Sequence, residues 1–468
     1  MAKPYIKSLF IFRRDLRLHD NSALIEALKQ SESVMPIFIF DDRQIGDKNQ
    51  YRSTHAIQFM IESIKDLFMD LKDHNGILFL FEGTAETVIK NIIIKESINA
   101  VFINQDYTPF SIQRDATIET VCLESKISFH RYHDALLNSP DTIQTKTGTP
   151  YSVFTPFFRA CSKILVKQPA HVPSYNFMLT CASTHIPLST FEKKTTKNNI
   201  IFPLDGGRKK GLHFLKNISH FKNYDKDRNF PFKDTTRLSA HHKFGTISIR
   251  ESYSAIINGL GAEHTLIKQL YWRDFFYHIA YHHPYVFGHA YNKKYEHIWW
   301  STNKSHFLAW CNGVTGFPII DAGMRELNAT GFMHNRTRMI VASFLTKSLH
   351  IHWLWGERYF AQKLTDYDPC VNNGNWQWAA STGSDAQPYF RIFNPWLQQK
   401  KYDPDCIYIK KWIPELKTIT PAAIHSWDKK NSSLVSEYPR PIIDHTTESK
   451  ITKHIFKNQQ TQSPYKPV

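Results

Sequence analysis

The densest group of residues that could carry chemistry is Asp366–Pro395, DYDPCVNNGNWQWAASTGSDAQPYFRIFNP. It holds two acids two positions apart, then Asn372-Asn373-Gly374, two tryptophans and a Gly/Ser/Asp turn. Taken singly, a tryptophan is a common core residue and an Asn-Gly pair is a common turn. Taken together, these residues are too polar for a plain hydrophobic core. The segment therefore predicts a site that binds a ligand or a substrate.

Other short patterns are weaker. Thr235–Ser239, TTRLS, would by itself be interpreted as a helix cap. His278 and His282 stand four apart on a predicted helix, with His283 next to the second, but no third metal ligand is evident. No GxGxxG turn, GxxxxGK[ST] loop, GxSxG elbow or HExxH pair occurs, so dinucleotide, P-loop and hydrolase readings have no support. The six cysteines form no CxxC pair and predict free thiols.

The charge balance favours a polyanionic partner. The chain has 58 basic and 42 acidic residues, a net charge of +16, and phosphate contacts dominate the affinity of proteins for nucleic acids. A basic protein without such a partner is the alternative. The sequence contains no run of eighteen apolar residues, so it predicts no membrane span. The short apolar run that ends at Arg13 resembles a buried strand more than a secretory signal, so we expect a cytoplasmic protein.

The elements that must position these residues fall into four parts. The first, 1–132, alternates continuous apolar runs with amphipathic stretches, a pattern typical of a doubly wound parallel sheet covered on both faces. We predict a connector at 133–205, a mainly helical domain at 206–440 that holds all eleven tryptophans, and a polar, loosely ordered tail at 441–468. The predicted strands are Leu9–Phe12, Val34–Phe40, Ile77–Phe81, Ala100–Ile103 and Ile127–Tyr132.

Three motifs in the same order resemble one known family. They are Phe12–Asn21 (FRRDLRLHDN), Thr235–Gly245 (TTRLSAHHKFG) and Gly316–Leu349 (GFPIIDAGMRELNATGFMHNRTRMIVASFLTKSL), together with the segment Asp366–Pro395. All of them are similar to class I photolyases of the DNA photolyase/cryptochrome family. The resemblance implies a five-stranded α/β antenna domain, a connector and a helical domain that holds FAD in a folded form.

The resemblance also implies which residues contact FAD. Asn372 would face flavin N5, and Arg338 with Asp366 would lie beside the isoalloxazine ring, where a cation stabilises reduced, anionic flavin. Hydroxyls and backbone amides of the TTRLS run would hold the diphosphate. The residues implied to contact the cofactor are Tyr224, Thr235, Thr236, Arg237, Leu238, Ser239, Arg273, Arg338, Asp366, Tyr367, Asp368 and Asn372.

Two further sets follow from the same resemblance. Trp376, Trp353 and Trp300 match a chain of tryptophans that carries an electron from the protein surface to photoexcited flavin. The second set would contact DNA containing a pyrimidine dimer, with Trp272 and Trp378 holding the flipped-out lesion by aromatic contact. Its members are Arg228, Gln269, Trp272, Asn335, Arg336, Met339, Trp378 and Gln398.

Two positions, Gln269 and Thr108, depart from the family pattern. Gln269 stands where enzymes that repair cyclobutane dimers usually carry glutamate, and glutamine cannot act as an acid. Asn335 and Met339 stand where (6-4) photolyases place histidines, so the proton donor for (6-4) repair is missing. Thr108 stands where folate-binding members place a glutamate, which leaves a folate antenna, a deazaflavin antenna or no antenna open.

The favoured interpretation is a monomeric enzyme that repairs cyclobutane pyrimidine dimers in DNA. Excited, reduced FAD would give one electron to the dimer, the cyclobutane bonds would break, and the electron would return. The alternatives are a cryptochrome that senses blue light without repair, a (6-4) photolyase, and a helical nucleic-acid-binding protein without a cofactor.

Overall fold

The structure is a computed structural model, and it describes residues 3–172, 174–190, 204–428 and 435–461. A five-stranded parallel sheet forms the centre of the amino-terminal part, with the strand order β3-β2-β1-β4-β5. The strands are β1 (Tyr5–Phe12), β2 (Ser31–Phe40), β3 (Phe79–Glu82), β4 (Ala100–Asn104) and β5 (Ser128–Tyr132). The prediction of five parallel strands is confirmed.

Helices cover both faces of this sheet, because continuous apolar strands must be buried on both sides. One face packs on residues such as Ile64 and Leu67, and the other packs on Ile89 and Ile93. The helices of this part are α1 (Ser22–Gln30), α2 (Asp42–Ile45), α3 (Thr54–Asp73), α4 (Ala85–Glu96) and α5 (Pro109–Glu124).

The rest of the described chain is helical, as predicted. Its helices are α6 (Phe154–Cys161), α7 (Arg208–Lys216), α8 (Tyr224–Asp227), α9 (Ser239–Phe244), α10 (Ile249–Leu260), α11 (Thr265–His282), α12 (Lys304–Asn312), α13 (Pro318–Thr330), α14 (Asn335–Lys347), α15 (Trp353–Lys363), α16 (Pro369–Ala380), α17 (Pro395–Tyr402), α18 (Ile407–Trp412), α19 (Pro421–Ile424) and α20 (His445–Thr461). Short 3-10 helices are Ile218–Phe221, Pro284–Val286, Lys293–Tyr295 and Pro414–Leu416.

Proline and a preceding polar residue set where several of these helices begin. Asp368 caps α16 and Asn394 caps α17, each directly before a proline in the first helical position. The Asn373-Gly374 pair lies inside α16 rather than in a turn. A Cβ on Gly374 would stand 2.1 Å from Cδ1 of Phe276, so glycine is what allows α16 to approach α11 this closely.

Buried charges join the two parts of the molecule. Arg17 and Asp20, which follow β1, meet Asp134 of the connector and Arg250 of α10. Arg17 Nη2 donates to Asp134 Oδ2 at 2.6 Å, while Arg250 Nη2 donates to Asp134 Oδ1 at 2.8 Å. All four side chains are at most 10% exposed. Burial alone would raise the pKa of Asp134, but the two guanidinium groups hold it well below its ordinary value.

The connector is held against both parts along its described length. Phe177 pairs with Val34 beside the sheet, and α6 packs on α11 through Phe157. His278 and His282 hydrogen-bond connector backbone: His278 Nε2 accepts from Tyr151 N at 3.1 Å, and His282 Nε2 lies 3.0 Å from the Pro140 carbonyl oxygen. Part of the connector prediction, residues 191–203, lies outside the described residues.

The prediction of a loosely ordered tail is wrong for 445–461, which form α20. Thr452 and Phe456 of this helix are 1% and 2% exposed. His350 Nε2 lies 2.7 Å from Glu448 Oε2, and the Phe456 ring stacks on Tyr389. These contacts recur every three or four residues and so make one packed face, which the polar composition of the segment conceals. Residues 462–468 lie outside the described part of the chain.

No helix among the described residues has the length and apolar character needed to cross a membrane.

The buried charges give a first prediction. Arg250→Met removes the cation that pairs with Asp20 and one of the two that pair with Asp134, so we expect a loss of about 3 to 5 kcal/mol in the free energy of unfolding. Denaturant unfolding measures it. Arg131→Met, which breaks an exposed pair with Glu119, is the control and should cost less than about 1 kcal/mol. Equal losses in the two variants would contradict this account.

Candidate functional site

The main cavity lies among α8, the turn before α9, and helices α11, α14 and α16. It encloses about 1570 Å³ free of protein atoms, counting the part open to solvent. All the residues implied to contact the cofactor line this cavity: Tyr224, Thr235, Thr236, Arg237, Leu238, Ser239, Arg273, Arg338, Asp366, Tyr367, Asp368 and Asn372.

One end of the cavity carries the TTRLS segment. Leu238 is 4% exposed and anchors the segment against Leu215 and Ile247. Arg237 has a φ of 51°, in the left-handed region that residues with a side chain seldom occupy. Its guanidinium lies over the Phe332 ring and donates to Asp234 at 3.1 Å. Thr235 and Thr236 of this turn line the cavity, and threonine hydroxyls can donate to an anionic ligand.

An ion pair forms another wall. Arg338 of α14 donates from Nη2 to both oxygens of Asp366, at 2.9 and 3.1 Å, and from Nε to the Met333 carbonyl at 2.8 Å. The hydrogen bond from Nε to the Met333 carbonyl fixes the plane of the guanidinium group, so the Arg338–Asp366 pair presents one defined arrangement to a ligand.

Asp368 stands at the amino terminus of α16, the helix that forms the next wall of the cavity. Its Oδ1 accepts from the amides of Cys370 and Val371 at 3.1 and 3.2 Å, which caps the helix. Its Oδ2 accepts from Arg14 and from the Tyr277 hydroxyl. Burial alone would raise the pKa of Asp368, but the nearby cations, Arg14 first among them, hold it below its ordinary value.

The structure adds a residue that the sequence did not reveal. Glu357 of α15 is 4% exposed, and Asn372 Nδ2 donates to its Oε1 and to its backbone carbonyl, both at 3.2 Å. Burial raises the pKa of the Glu357 carboxyl to about 7, against the hydrogen bonds from Asn372 and Tyr367. The one signal in the sequence was an acid in the apolar helix WLWGERYFAQK, and nothing there linked it to Asn372.

The three tryptophans of the implied electron path run from the cavity outward. Trp376 lines the cavity and is 2% exposed, as is Trp353. A Cβ on Gly356 would stand 2.2 Å from Trp376 Cη2, so the Trp376 ring rests on the helix that Trp353 begins. Trp300 is partly exposed and lies 5.1 Å from the His352 ring, which in turn lies 5.7 Å from Trp353.

The residues implied to contact DNA divide into two groups. Gln269, Asn335, Met339 and Trp378 line the same cavity as the cofactor residues, but Arg228, Trp272, Arg336 and Gln398 do not. The Trp272 ring stacks on Phe154 with centroids 3.7 Å apart, so the connector covers one of its faces. Arg336 is engaged by Asn229 at 2.6 Å and by the Tyr402 ring at 4.5 Å.

A smaller cavity lies beyond the main one, at the carboxyl edge of the sheet. It contains about 390 Å³ free of protein atoms, counting the part open to solvent, and is lined in part by Arg14, Asp106, Lys243 and Tyr277. Arg273 and Lys243 line both cavities. The Thr108 hydroxyl accepts from Ser111 N and so caps α5, a role within the fold. The binding of an antenna chromophore stays a prediction.

Comparisons with known proteins identify the family. The family model described as DNA photolyase matches residues 8–174, and the one described as FAD binding domain of DNA photolyase matches residues 266–458. A deoxyribodipyrimidine photo-lyase of Alkalihalophilus pseudofirmus is 36% identical, covering 96% of this chain and 98% of its own. The chain belongs to the DNA photolyase family. A photo-lyase of Escherichia coli is 34% identical over 93% of this chain and 95% of its own.

Solved structures agree with this membership. An archaeal photolyase from Sulfolobus tokodaii with two FAD molecules is 43% identical, has a TM-score of 0.89 and matches 97% of this chain and all of that one. A class III photolyase from Agrobacterium tumefaciens (31% identical, TM-score 0.88, 99% of both chains) and a Synechocystis cryptochrome (28%, 0.88, 97% of this chain and 100% of that one) are also similar. The family is therefore shown, while assignment to class I stays a prediction.

FAD is the cofactor of this photolyase-family chain, and the residues present fit it. A turn with two threonine hydroxyls suits a diphosphate, and the Arg338–Asp366 pair and the Asn372 amide can contact the polar edge of a flavin ring. Apolar side chains such as Met333 and Leu364 supply the rest of the lining.

Glu357 gives the second prediction. Its folded pKa of about 7 exceeds the ordinary 4.5, so its contribution to stability is complete below pH 4.5 and is lost as the pH rises to about 7. In Glu357→Gln this loss should be absent, so the variant should gain stability relative to wild type over that interval. Urea unfolding across the interval measures it. The exposed Glu119→Gln is the control, and a similar pH dependence in both variants would refute the assignment.

Proposed function

We propose that this chain repairs cyclobutane pyrimidine dimers in DNA, driven by light and reduced FAD. One observation carries the proposal: a single cavity is lined by every residue implied to contact FAD and by four of those implied to contact the dimer. When bound and reduced, FAD supplies an excited-state electron to the lesion and accepts it back. The chain itself binds, orients and shields the two partners.

The cofactor side of the cavity has a distinct electrostatic task. The guanidinium of Arg338, although paired with Asp366, lies at the lining and favours negative charge on a bound ring. Asn372 is held by two hydrogen bonds to Glu357, so its amide presents a fixed face to the cavity. Around them, Phe360 and Trp376 keep water from the ring.

The substrate side uses aromatic and amide groups. Trp378 is partly exposed at the cavity, and the indole of Trp272 is stiffened from behind by Phe154. A flat ring at the cavity, such as that of Trp378, suits the rings of a flipped-out dimer, whereas Trp272 lies outside the cavity lining. Gln269 can hydrogen-bond the carbonyl and imide edge of a pyrimidine.

A net charge of +16 supports DNA as the partner, because cationic residues that approach phosphates release counterions. Arg228, Arg336 and Gln398 lie outside the cavity lining, which is compatible with contacts to the strand rather than to the flipped base. To reach a phosphate, the Arg336 side chain must either break its contacts with Asn229 and Tyr402 or contact the phosphate while keeping them.

A cryptochrome is the second candidate, favoured by the similarity to the Synechocystis protein. The residues in the cavity that are implied to contact the dimer argue against a cryptochrome: Gln269, Asn335, Met339 and Trp378. A (6-4) photolyase is disfavoured because Asn335 and Met339 occupy its histidine positions, and Asn335 Nδ2 instead contacts Met339 Sδ at 3.8 Å.

The decisive test is repair of a thymine-dimer oligonucleotide by the reduced protein under blue light. We expect loss of the dimer in the light and none in the dark. Gln269→Glu should repair at least as fast as wild type, because the acid can stabilise the dimer radical anion. No repair by a protein that binds and photoreduces flavin normally would refute the proposal and leave the cryptochrome and the (6-4) photolyase as alternatives.

The tryptophan path gives a separate prediction. Trp353→Phe should slow photoreduction of oxidised flavin by about tenfold or more, since phenylalanine is far harder to oxidise and a barrier of about 1.4 kcal/mol already costs a factor of ten. Absorption under blue light with a thiol reductant measures the rate. Repair by chemically reduced protein should be unchanged. Trp412→Phe, at a partly buried tryptophan outside the path, is the control, and equal rates in both variants would contradict the path.

A further inference from the structure

Arg14 joins four segments of the chain that lie far apart in sequence. It follows β1, and its guanidinium donates to Asp106 after β4 at 3.1 Å and to the Lys243 carbonyl of α9 at 3.2 Å. It also pairs with Asp368 and contacts the Tyr277 hydroxyl of α11 at 2.6 Å. Its side chain is 20% exposed. A planar guanidinium with donors on three nitrogens can serve these partners at once, which an ammonium cannot.

Asp368 connects the contacts of Arg14 to the helix that lines the cavity, α16. One of its oxygens caps α16 through the amides of Cys370 and Val371, and the other accepts from Arg14 and Tyr277. A rotation of the carboxylate would therefore disturb the first turn of the helix as well as the ion pair. Asn372 lies one turn further along the same helix, at the cavity.

Among the described residues, Arg14 is the cation that forms an ion pair with Asp368. Lys243 and Arg273 are the other cations that act on Asp368, and neither forms an ion pair with it among the described residues. Arg273 is committed to the Ala135 carbonyl at 2.6 Å and to Asp274 at 3.5 Å. Removal of Arg14 would leave the buried Asp368 and the half-buried Asp106 without the cation that they share, which is costly.

We propose that Arg14 is a positioning residue for the cofactor: from the α/β domain, it fixes the amino terminus of α16 and thereby the distance and angle at which Asn372 meets the flavin. The proposal rests on the proposed function only in taking Asn372 to face the flavin. It assigns to the α/β domain a direct part in tuning the cofactor.

The test compares three variants of the full-length flavoprotein. Arg14→Met removes the interaction. Tyr277→Phe removes one hydrogen bond to the same carboxylate oxygen and keeps every charge, which guards against a misfolded Arg14→Met. Arg43→Met is the control, since Arg43 pairs with Asp41 and Glu86 within the α/β domain and does not line either cavity.

Two readouts other than repair decide the outcome: amide hydrogen exchange at Cys370 and Val371, and the midpoint potential of bound flavin. In Arg14→Met we expect exchange at these amides to rise by roughly fivefold to tenfold, the factor for a lost helix cap, with a shifted flavin potential. Tyr277→Phe should shift both in the same direction but less. Arg43→Met should alter neither. If Arg14→Met and Tyr277→Phe match Arg43→Met in both readouts, the proposal is overturned, whether or not the protein repairs DNA.

Discussion

The contact between the segment after β1 and the end of α9 is the constraint on which the rest of the structure depends. Leu16 N donates to the Phe244 carbonyl, Arg14 to that of Lys243 and Arg17 to that of Gly245. A Cβ on Gly245 would stand 2.2 Å from the Arg14 carbonyl oxygen, so the two segments touch without room for a side chain. Since α9 directly follows the TTRLS turn, the α/β domain fixes the end of the cavity where a diphosphate would bind.

Helix α16 concentrates the chemistry because three of its faces serve different purposes. Trp376 packs into the tryptophan-rich core, Trp378 faces the cavity as a partly exposed ring, and Asn372 is held by Glu357. One helix therefore carries residues proposed to contact the lesion and the cofactor, and the first tryptophan of the implied electron path. Gly374 makes this possible, because it lets α16 approach α11 closely enough to close the cavity.

Much of this could be predicted from the sequence, for reasons that differ by element. The strands of a parallel sheet are continuous apolar runs, so they stood out with errors of only a few residues, as at β3, which begins at Phe79 instead of Ile77. Cofactor residues came from motif resemblance, which carries residue types but no distances. Glu357 was missed because its hydrogen bond to Asn372 spans fifteen positions and two helices. Helix α20 was missed because one packed face is concealed by a polar composition.

The most direct test of the account is a competition. Reduced protein is irradiated with blue light in an equimolar mixture of two oligonucleotides, one with a cyclobutane thymine dimer and one with a (6-4) photoproduct, and both lesions are followed in the same sample. The account predicts loss of the cyclobutane dimer alone, because Asn335 and Met339 supply no acid for (6-4) repair. Loss of the (6-4) lesion, or of neither lesion while the flavin stays bound and reduced, would contradict it.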